Sequence, residues 1–458
     1  MRRGLLAAAV LTWSLLAASL ARADNYLLLD RDEDAAQVRI DLIRGAHTSI
    51  DATYFIVGKD GVALSVLAEL RAAVRRGVAV RMIVDAPFNS IPLNVRAALR
   101  RDGVELQEYH PFRLWKPSWW GRRMHDKLLI VDGVHLVTGG RNLDAAYFGL
   151  KDEEGSDAPR DYVDRDAYVS GPAAARAQAY FDQVWSSKEV RRAKLGKFRP
   201  RSMDVPCEED DRRCLERKAR LVAEVDEGAR QLDERYRALD TVGVVRRDVV
   251  EPLVFAGTDV GPVTFLHDPV GKKDSEDGIG AELFAMMDGT QTSMLLESPW
   301  LVPSRALRKS FDRALARGVQ IRVLTNSWAT TDSLMTHAGY LRFRKGLAKK
   351  GIELWEYAGP GCLHSKTGVL DDRKVMIGSF NLDPRSEHFN SEVAIVFDQQ
   401  AAAAKAREPL DDRLGKAVRI GANGKPVPGP VTLPKMPMKR KIMLGLARIV
   451  AIFVHRQL

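Results

Sequence analysis

The chain has 458 residues, with 70 Lys and Arg against 60 Asp and Glu and a formal charge of +10. With 45% hydrophobic and 28% charged residues it can bury a large core, which excludes global disorder, and its three cysteines are too few for a disulfide scaffold. The interior lacks an apolar run of ~20 residues, which excludes a polytopic membrane protein, while the positive surplus points to nucleic acid, a phospholipid surface or a phosphorylated substrate.

Residues 1–23 read as a signal peptide: Arg2 and Arg3, an apolar stretch from Leu5 to Leu20, then Ala21-Arg22-Ala23 before Asp24. An uncleaved anchor helix is the alternative. Either places the body outside the cytoplasm, in a periplasm or on the outer face of an inner membrane. In that oxidising setting Cys207 and Cys214 suit a short-loop disulfide, with Cys362 left over. A first half spans 24–187. Helical spacing covers Asp34 to Ala46, a strand covers Thr48 to Val57, a helix covers Val62 to Arg76, and a buried strand follows Gly77 over Val78 to Asp85. Next, Trp115, Trp119 and Trp120 alternate with Arg113, Lys116, Arg122 and Arg123. That interleaving suits a lipid headgroup region, single-stranded nucleic acid, or a packed rim loop.

Residues 188–248 are highly charged, with helical spacing of Leu221, Val225, Leu232 and Leu239, and read as a solvated helical linker or insert. The second half, 249–400, shows a strand over Thr292 to Ser298, a helix over Arg305 to Arg317 and a strand over Val319 to Asn326. Residues 401–458 form a connection, rich in Pro and Gly towards its end, and a tail. From Lys435 to Leu458 there are six basic and no acidic residues, and Lys441, Arg448 and His455 recur every seven beside a broad apolar face. The tail is too short and interrupted to span a bilayer. It reads either as an interfacial helix on anionic lipid or as a terminal helix packed into the core.

The two halves repeat one another. Arg71 to Pro87 matches Arg313 to Ser327, Arg100 to Tyr109 matches Ala348 to Tyr357, and Met124 to Asn142 matches Leu363 to Asn381, in the same order. Chance does not give an ordered triple of this kind. Strands alternating with helices in each copy predict an α/β sandwich.

Within the third repeat, His125, Lys127 and Asp132 are spaced H-x-K-x4-D and followed by Gly139-Gly140-Arg141-Asn142. His364, Lys366 and Asp371 have the same spacing before Gly378-Ser379-Phe380-Asn381. On a strand the His and Lys would share a face, and the glycine turn would return Asn142 or Asn381 to it with backbone N–H groups free for an anion. Two facing half-sites then make a phosphodiester machine. One imidazole attacks phosphorus, the other is the acid and base, and the lysines and asparagines neutralise charge, so no metal or cofactor is required. The histidines lack carboxylate or thiolate neighbours at metal-ligand spacing.

This doubled pattern resembles the phospholipase D superfamily, whose signature H-x-K-x4-D-x6-G-(G/S)-x-N stands at His125 and His364. Within it the chain is similar to bacterial cardiolipin synthases of the C type over Asp24 to Gln400, with Gly140 where the family usually has Ser. The resemblance implies two pseudo-symmetric phospholipase D-like α/β/α sandwich halves sharing one active site at their interface. It also implies His125 as nucleophile and His364 as acid and base, and a carboxylate orienting each imidazole. Asp164 fits that position for the first half and Glu392 for the second. Asp132 and Asp371 are expected to brace the motifs, Ser379 to bond phosphate or its neighbours, and His337 and Tyr340 to line a substrate pocket.

The resulting expectation is a phosphatidyltransferase working through phosphohistidine, with a phospholipid hydrolase as the alternative and a nuclease behind both. Three arginines in residues 1–23 and six basic residues in the tail hold nine of the ten surplus charges. The body is nearly neutral, which favours an anionic membrane surface over a polynucleotide. With both motifs in one chain, a monomer suffices.

Overall fold

A computed structural model describes residues 23–111, 121–149, 161–203, 206–238, 257–273 and 278–453. The expected signal sequence, His455 and the tryptophan segment (Trp115, Trp119, Trp120) lie outside the described residues, Ala23 excepted. The first half runs β1 (Asn25–Leu29), α1 (Asp32–Gly45), β2 (Ser49–Tyr54), α2 (Gly61–Arg75), β3 (Ala79–Asp85), α3 (Leu93–Arg101) and β4 (Glu105–Tyr109). It continues with β5 (Leu128–Val131), β6 (His135–Gly139), β7 (Tyr162–Val163), β8 (Asp166–Ser170), α4 (Pro172–Trp185) and β9 (Val190–Arg192). After α5 (Pro200–Met203) and α6 (Arg212–Ala238) come β10 (Thr258–Asp259), β11 (Thr264–His267), α7 (Ile279–Gly289), β12 (Ser293–Glu297), α8 (Arg305–Ala316), β13 (Gln320–Asn326) and α9 (Leu334–Lys349). The chain ends with β14 (Glu353–Tyr357), β15 (Cys362–Leu363), β16 (Thr367–Leu370), β17 (Lys374–Gly378), α10 (Pro384–His388), β18 (Val393–Asp398), α11 (Gln400–Gly415), β19 (Ala417–Ile420) and α12 (Met438–Phe453).

The repeat is visible in the sheets. One has nine strands in the order β10-β1-β8-β6-β5-β2-β3-β4-β9; the other has eight, ordered β11-β18-β17-β16-β12-β13-β14-β19. In each, three parallel strands (β2-β3-β4, β12-β13-β14) continue into an antiparallel run. Apolar residues from both halves, among them Leu128, Val169, Phe181, Val369, Ile395 and Leu410, form one shared core. The alanine-rich faces of α4 and α11 belong to it, since small side chains let these helices lie close to the sheets. Separate outer cores, one around Leu67, Val80 and Leu99 and the other around Leu307, Val323 and Leu354, cover the opposite faces. Each half is therefore a sandwich, and the two are joined through a common apolar layer.

The charged segment 188–248 is more than a solvated linker. Val190–Arg192 is the edge strand of the first sheet, pairing with β4. Helix α6 buries Leu221, Val225, Ala229 and Leu232 against the first half. Charge hides this contact in the composition because only one narrow face of a long helix is apolar. The Arg71 guanidinium ties it down, donating to the Ala229 carbonyl at 3.1 Å and to Asp233 at 2.9 Å. At Gly228 a Cβ would lie 2.6 Å from the Asn94 carbonyl, so the helices meet through backbone. Gly228→Ala is expected to force them apart and lower stability by about 1–3 kcal/mol in chemical denaturation. Cys207 and Cys214 are disulfide-bonded at the start of α6, with Cα atoms 5.8 Å apart.

The tail helix α12 buries Leu444, Ala447 and Ala451 in a small cluster with Val302 and Ala338 of the second half. The two expectations for this segment therefore divide between its two faces: one is packed, and the other is exposed.

Candidate active site

The sequence positions each motif at the seam between the halves. Residues 125–127 and 364–366 immediately precede β5 and β16 rather than lying within them. Their free edges are claimed by the opposite half. The His125 N–H donates to the Ser391 carbonyl at 3.0 Å, and the Ser391 N–H donates to that of Arg123 at 2.9 Å. Likewise β15 pairs in parallel with β7, and the His364 N–H donates to the Val163 carbonyl at 2.8 Å.

This crossing corrects the expected pairing of carboxylates. Glu392, in the second half, bonds His125 Nδ1 at 2.9 Å, and Asp164, in the first half, bonds His364 Nδ1 at 2.6 Å. Each acid follows the strand that has crossed to the partner motif, so proximity in sequence points to the wrong imidazole. All four side chains are buried. Bonding at Nδ1 leaves Nε2 of His125 for chemistry, while Nε2 of His364 lies 3.2 Å from Lys366 Nζ.

The electrostatics follow from burial. Desolvation pulls His125 down to about 4 against the upward pull of Glu392, and it lowers His364 too, where Lys366 adds to it and Asp164 opposes. Burial pushes Glu392 up, but His125 and Lys127 hold it well below the usual carboxylate range. Asp164 is also lowered: burial pushes it up, while His364 and Lys366 outweigh that. Lys127 falls to about 7 through burial, opposed by Glu392, and Lys366 is lowered in the same way. Lys366 contributes to the depression of His125, and Asp164 acts on Lys127, so the two half-sites share one field. Lys127 Nζ donates to the His125 carbonyl at 2.6 Å, and Lys366 Nζ lies 2.9 Å from His364 Nδ1.

The glycine turns depart from expectation. The N–H groups of Gly140 and Ser379 donate to the Arg165 and Val393 carbonyls, that of Arg141 to Asp166, and that of Asn381 to Ser386. These turns extend the β6–β8 and β17–β18 ladders, so those amides are occupied rather than free for an anion. Asn142 Oδ1 accepts from the Ile56 N–H at 3.0 Å, while Asn381 is buried and its Oδ1 has no partner among the described residues.

Ser379 donates its hydroxyl to Glu392 and accepts the Val393 N–H at 3.0 Å, so it fixes the carboxylate that holds His125. At Gly140, the matching position, a Cβ would stand 1.9 Å from Asp164 Oδ1; only glycine leaves room for that acid. Asp132 and Asp371 sit at φ 53° and 52° and face away from the imidazoles. Asp132 accepts from the backbone of His47, Thr48 and Ser49, and Asp371 from Gln291, Thr292 and Ser293. Partial burial pushes Asp132 up, yet these donors hold it at about 2. Behind His364, Ser365 bonds Glu297, and Arg413 joins Glu297 (3.0 Å) to Asp30 (2.7 Å) of the other half.

His337 and Tyr340 stand further back. Tyr340 spends its hydroxyl on Glu356 at 3.0 Å inside the second core. His337 is buried against Asn326, whose amide clamps Leu363 through bonds of 2.7 and 3.0 Å. Sequence reasoning missed the rings that wall the site. Tyr147, Tyr162 and Trp300 lie 5.2, 5.0 and 6.3 Å from the His364 ring, and Phe55 lies 5.0 Å from His125. Phe55 and Trp300 follow β2 and β12, and sites in α/β sheets gather at the carboxyl ends of parallel strands, a signal that was available.

Two crossed H-x-K half-sites on two pseudo-symmetric sheets define a phospholipase D-like enzyme with both motifs in one chain. The chain belongs to the family described as cardiolipin synthase, PLD-like domain, whose model matches residues 40–185 and 283–413. It is 30% identical over 409 residues to cardiolipin synthase C of Escherichia coli (strain K12), covering 82% of this chain and 81% of that one. A cardiolipin synthase A of Yersinia pseudotuberculosis serotype O:1b (strain IP 31758) is 22% identical over 407 residues, covering 87% and 71%. Among solved structures, phosphatidylserine synthase of Haemophilus influenzae Rd KW20 shares the fold, with a TM-score of 0.64 at 15% identity over 96% of this chain and 98% of that one.

Proposed function

We propose that the protein is a phosphatidyltransferase that moves a phosphatidyl group between alcohols through a phosphohistidine, in the manner of a cardiolipin synthase. The observation that carries this reading is the pair of buried imidazoles, each bonded at Nδ1 to a carboxylate of the opposite half. In the first step His125 Nε2 attacks phosphorus, the P–O bond to the leaving alcohol breaks, and His364 donates its Nε2 proton to that oxygen. In the second step His364 takes the proton of the acceptor hydroxyl, its oxygen bonds to phosphorus, and the P–N bond breaks to restore His125. A bound phosphodiester anion raises both imidazoles and both lysines, opposing the burial that lowers them when the site is empty. Lys127, Lys366 and the Asn142 and Asn381 amides then neutralise the non-bridging oxygens.

The names and coverage of the relatives support a phospholipid donor. The disulfide at Cys207 and Cys214 supports an exported enzyme acting in the periplasm or on the outer face of the inner membrane. Lipid mass spectrometry of cells producing the protein tests the reading. Accumulation of cardiolipin, lost with His125→Ala, is expected. Phosphatidic acid in its place would make the enzyme a hydrolase, and DNA degradation with unchanged lipids would overturn the phospholipid reading.

A further inference from the structure

The tail helix α12 has two unlike faces. Leu444, Ala447 and Ala451 are buried against the second half, and the Arg342 guanidinium donates to the Ala451 carbonyl at 3.1 Å. On the other side Met438, Ile442, Leu446 and Ile449 are 69, 60, 60 and 59% exposed, with Met443 and Val450 beside them. Large apolar side chains at i, i+4 and i+7 make one continuous strip, and a strip of this kind on a soluble surface marks a partner. At ~1.5 Å per residue the helix is about 24 Å long, short of the ~30 Å of a hydrocarbon core. No described helix is long and apolar enough to cross a membrane. Lys439, Lys441 and Arg448 are exposed on the same helix, and no acidic residue follows Asp412. A second copy would set these cations against their own kind; an anionic lipid surface accepts both the charges and the apolar strip.

The helix also touches the wall of the site. The Arg440 guanidinium donates to the Thr331 carbonyl at 3.1 Å and lies 5.8 Å from the Trp328 ring centre. In the same loop Asp332 accepts from Trp300 Nε1 at 3.2 Å and from the Tyr162 hydroxyl at 3.4 Å, the rings that flank His364.

We infer that α12 docks the enzyme on a bilayer containing anionic phospholipid. Its exposed strip sits at the headgroup and acyl boundary, and its contact through Arg440 with the 327–333 loop brings the His364 side of the site to that surface. Only this last positioning clause rests on the phospholipid reading; docking does not.

Flotation of the full chain with vesicles of phosphatidylcholine, alone or mixed with phosphatidylglycerol, tests it. Binding to the mixed vesicles alone, weakened by salt, is expected. The triple variants Ile442→Ser/Leu446→Ser/Ile449→Ser and Lys439→Gln/Lys441→Gln/Arg448→Gln are each expected to lower vesicle partition about tenfold or more. All six side chains are exposed, so the melting temperature should not move. Turnover of a dispersed short-chain phospholipid should persist in both variants while turnover on vesicles falls. Loss of flotation in the variants supports docking even if the wild type turns over neither substrate, which would overturn the function instead. Unchanged flotation in both variants, or a dimer in sedimentation velocity that they dissolve, overturns docking.

Discussion

On the proposed mechanism His125→Ala should reduce turnover of phospholipid by roughly 10⁴-fold or more, because it removes the atom proposed to bond to phosphorus. The fold should survive, since the imidazole is held by one side-chain bond to Glu392 and its backbone partner, Ser391, does not depend on the side chain. Rapid acid quench and intact mass measurement provide the check. The wild type should carry a phosphatidyl adduct during turnover, mapping to His125, and the variant none. An adduct on His364 would reverse the roles, and a fully active His125→Ala would remove the mechanism.

The second large effect lies across the seam. Glu392→Gln keeps the shape of the side chain but removes the charge that orients and supports His125, and a loss of roughly a thousandfold in kcat is expected. The pH profile separates this from simple damage. His125 must be neutral to attack, so activity in the free enzyme falls as pH drops through its value of about 4. Glu392 raises that value, so its removal moves the acid limb of kcat/KM to lower pH. The alkaline limb should move to lower pH as well, because Lys127 loses its charge as pH rises through about 7 and Glu392 also raises that value. Nitrogen-15 NMR of the imidazoles tests the crossing itself. Glu392→Gln should perturb the Nδ1–H of His125, and Asp164→Asn that of His364; the reverse assignment would contradict the geometry.

Much of this site was legible in the chain. The repeat and the two H-x-K-x4-D motifs name six groups, His125, Lys127, Asn142, His364, Lys366 and Asn381, because residue type and spacing survive in sequence whatever the packing. Strand and helix positions followed from hydrophobic period: the strand expected over Val78 to Asp85 is β3, Ala79–Asp85, and the helix over Arg305 to Arg317 is α8, Arg305–Ala316. The charged helix was harder, since its packing depends on a glycine contact at Gly228 that hydropathy does not register.

What the sequence determined by itself, then, is the chemistry: two copies of one catalytic motif on alternating α/β elements, a basic tail and a nearly neutral body. What only the tertiary structure decided is which groups act on which. Asp164 serves His364 and Glu392 serves His125 because each motif pairs its backbone with the other half. The turn amides are occupied because their strands continue the sheets, and aromatic rings from four separate segments enclose the imidazoles. Motifs are local along the chain, whereas hydrogen bonds and burial depend on which strands meet at the seam, and that is settled only when the two halves close on their common core.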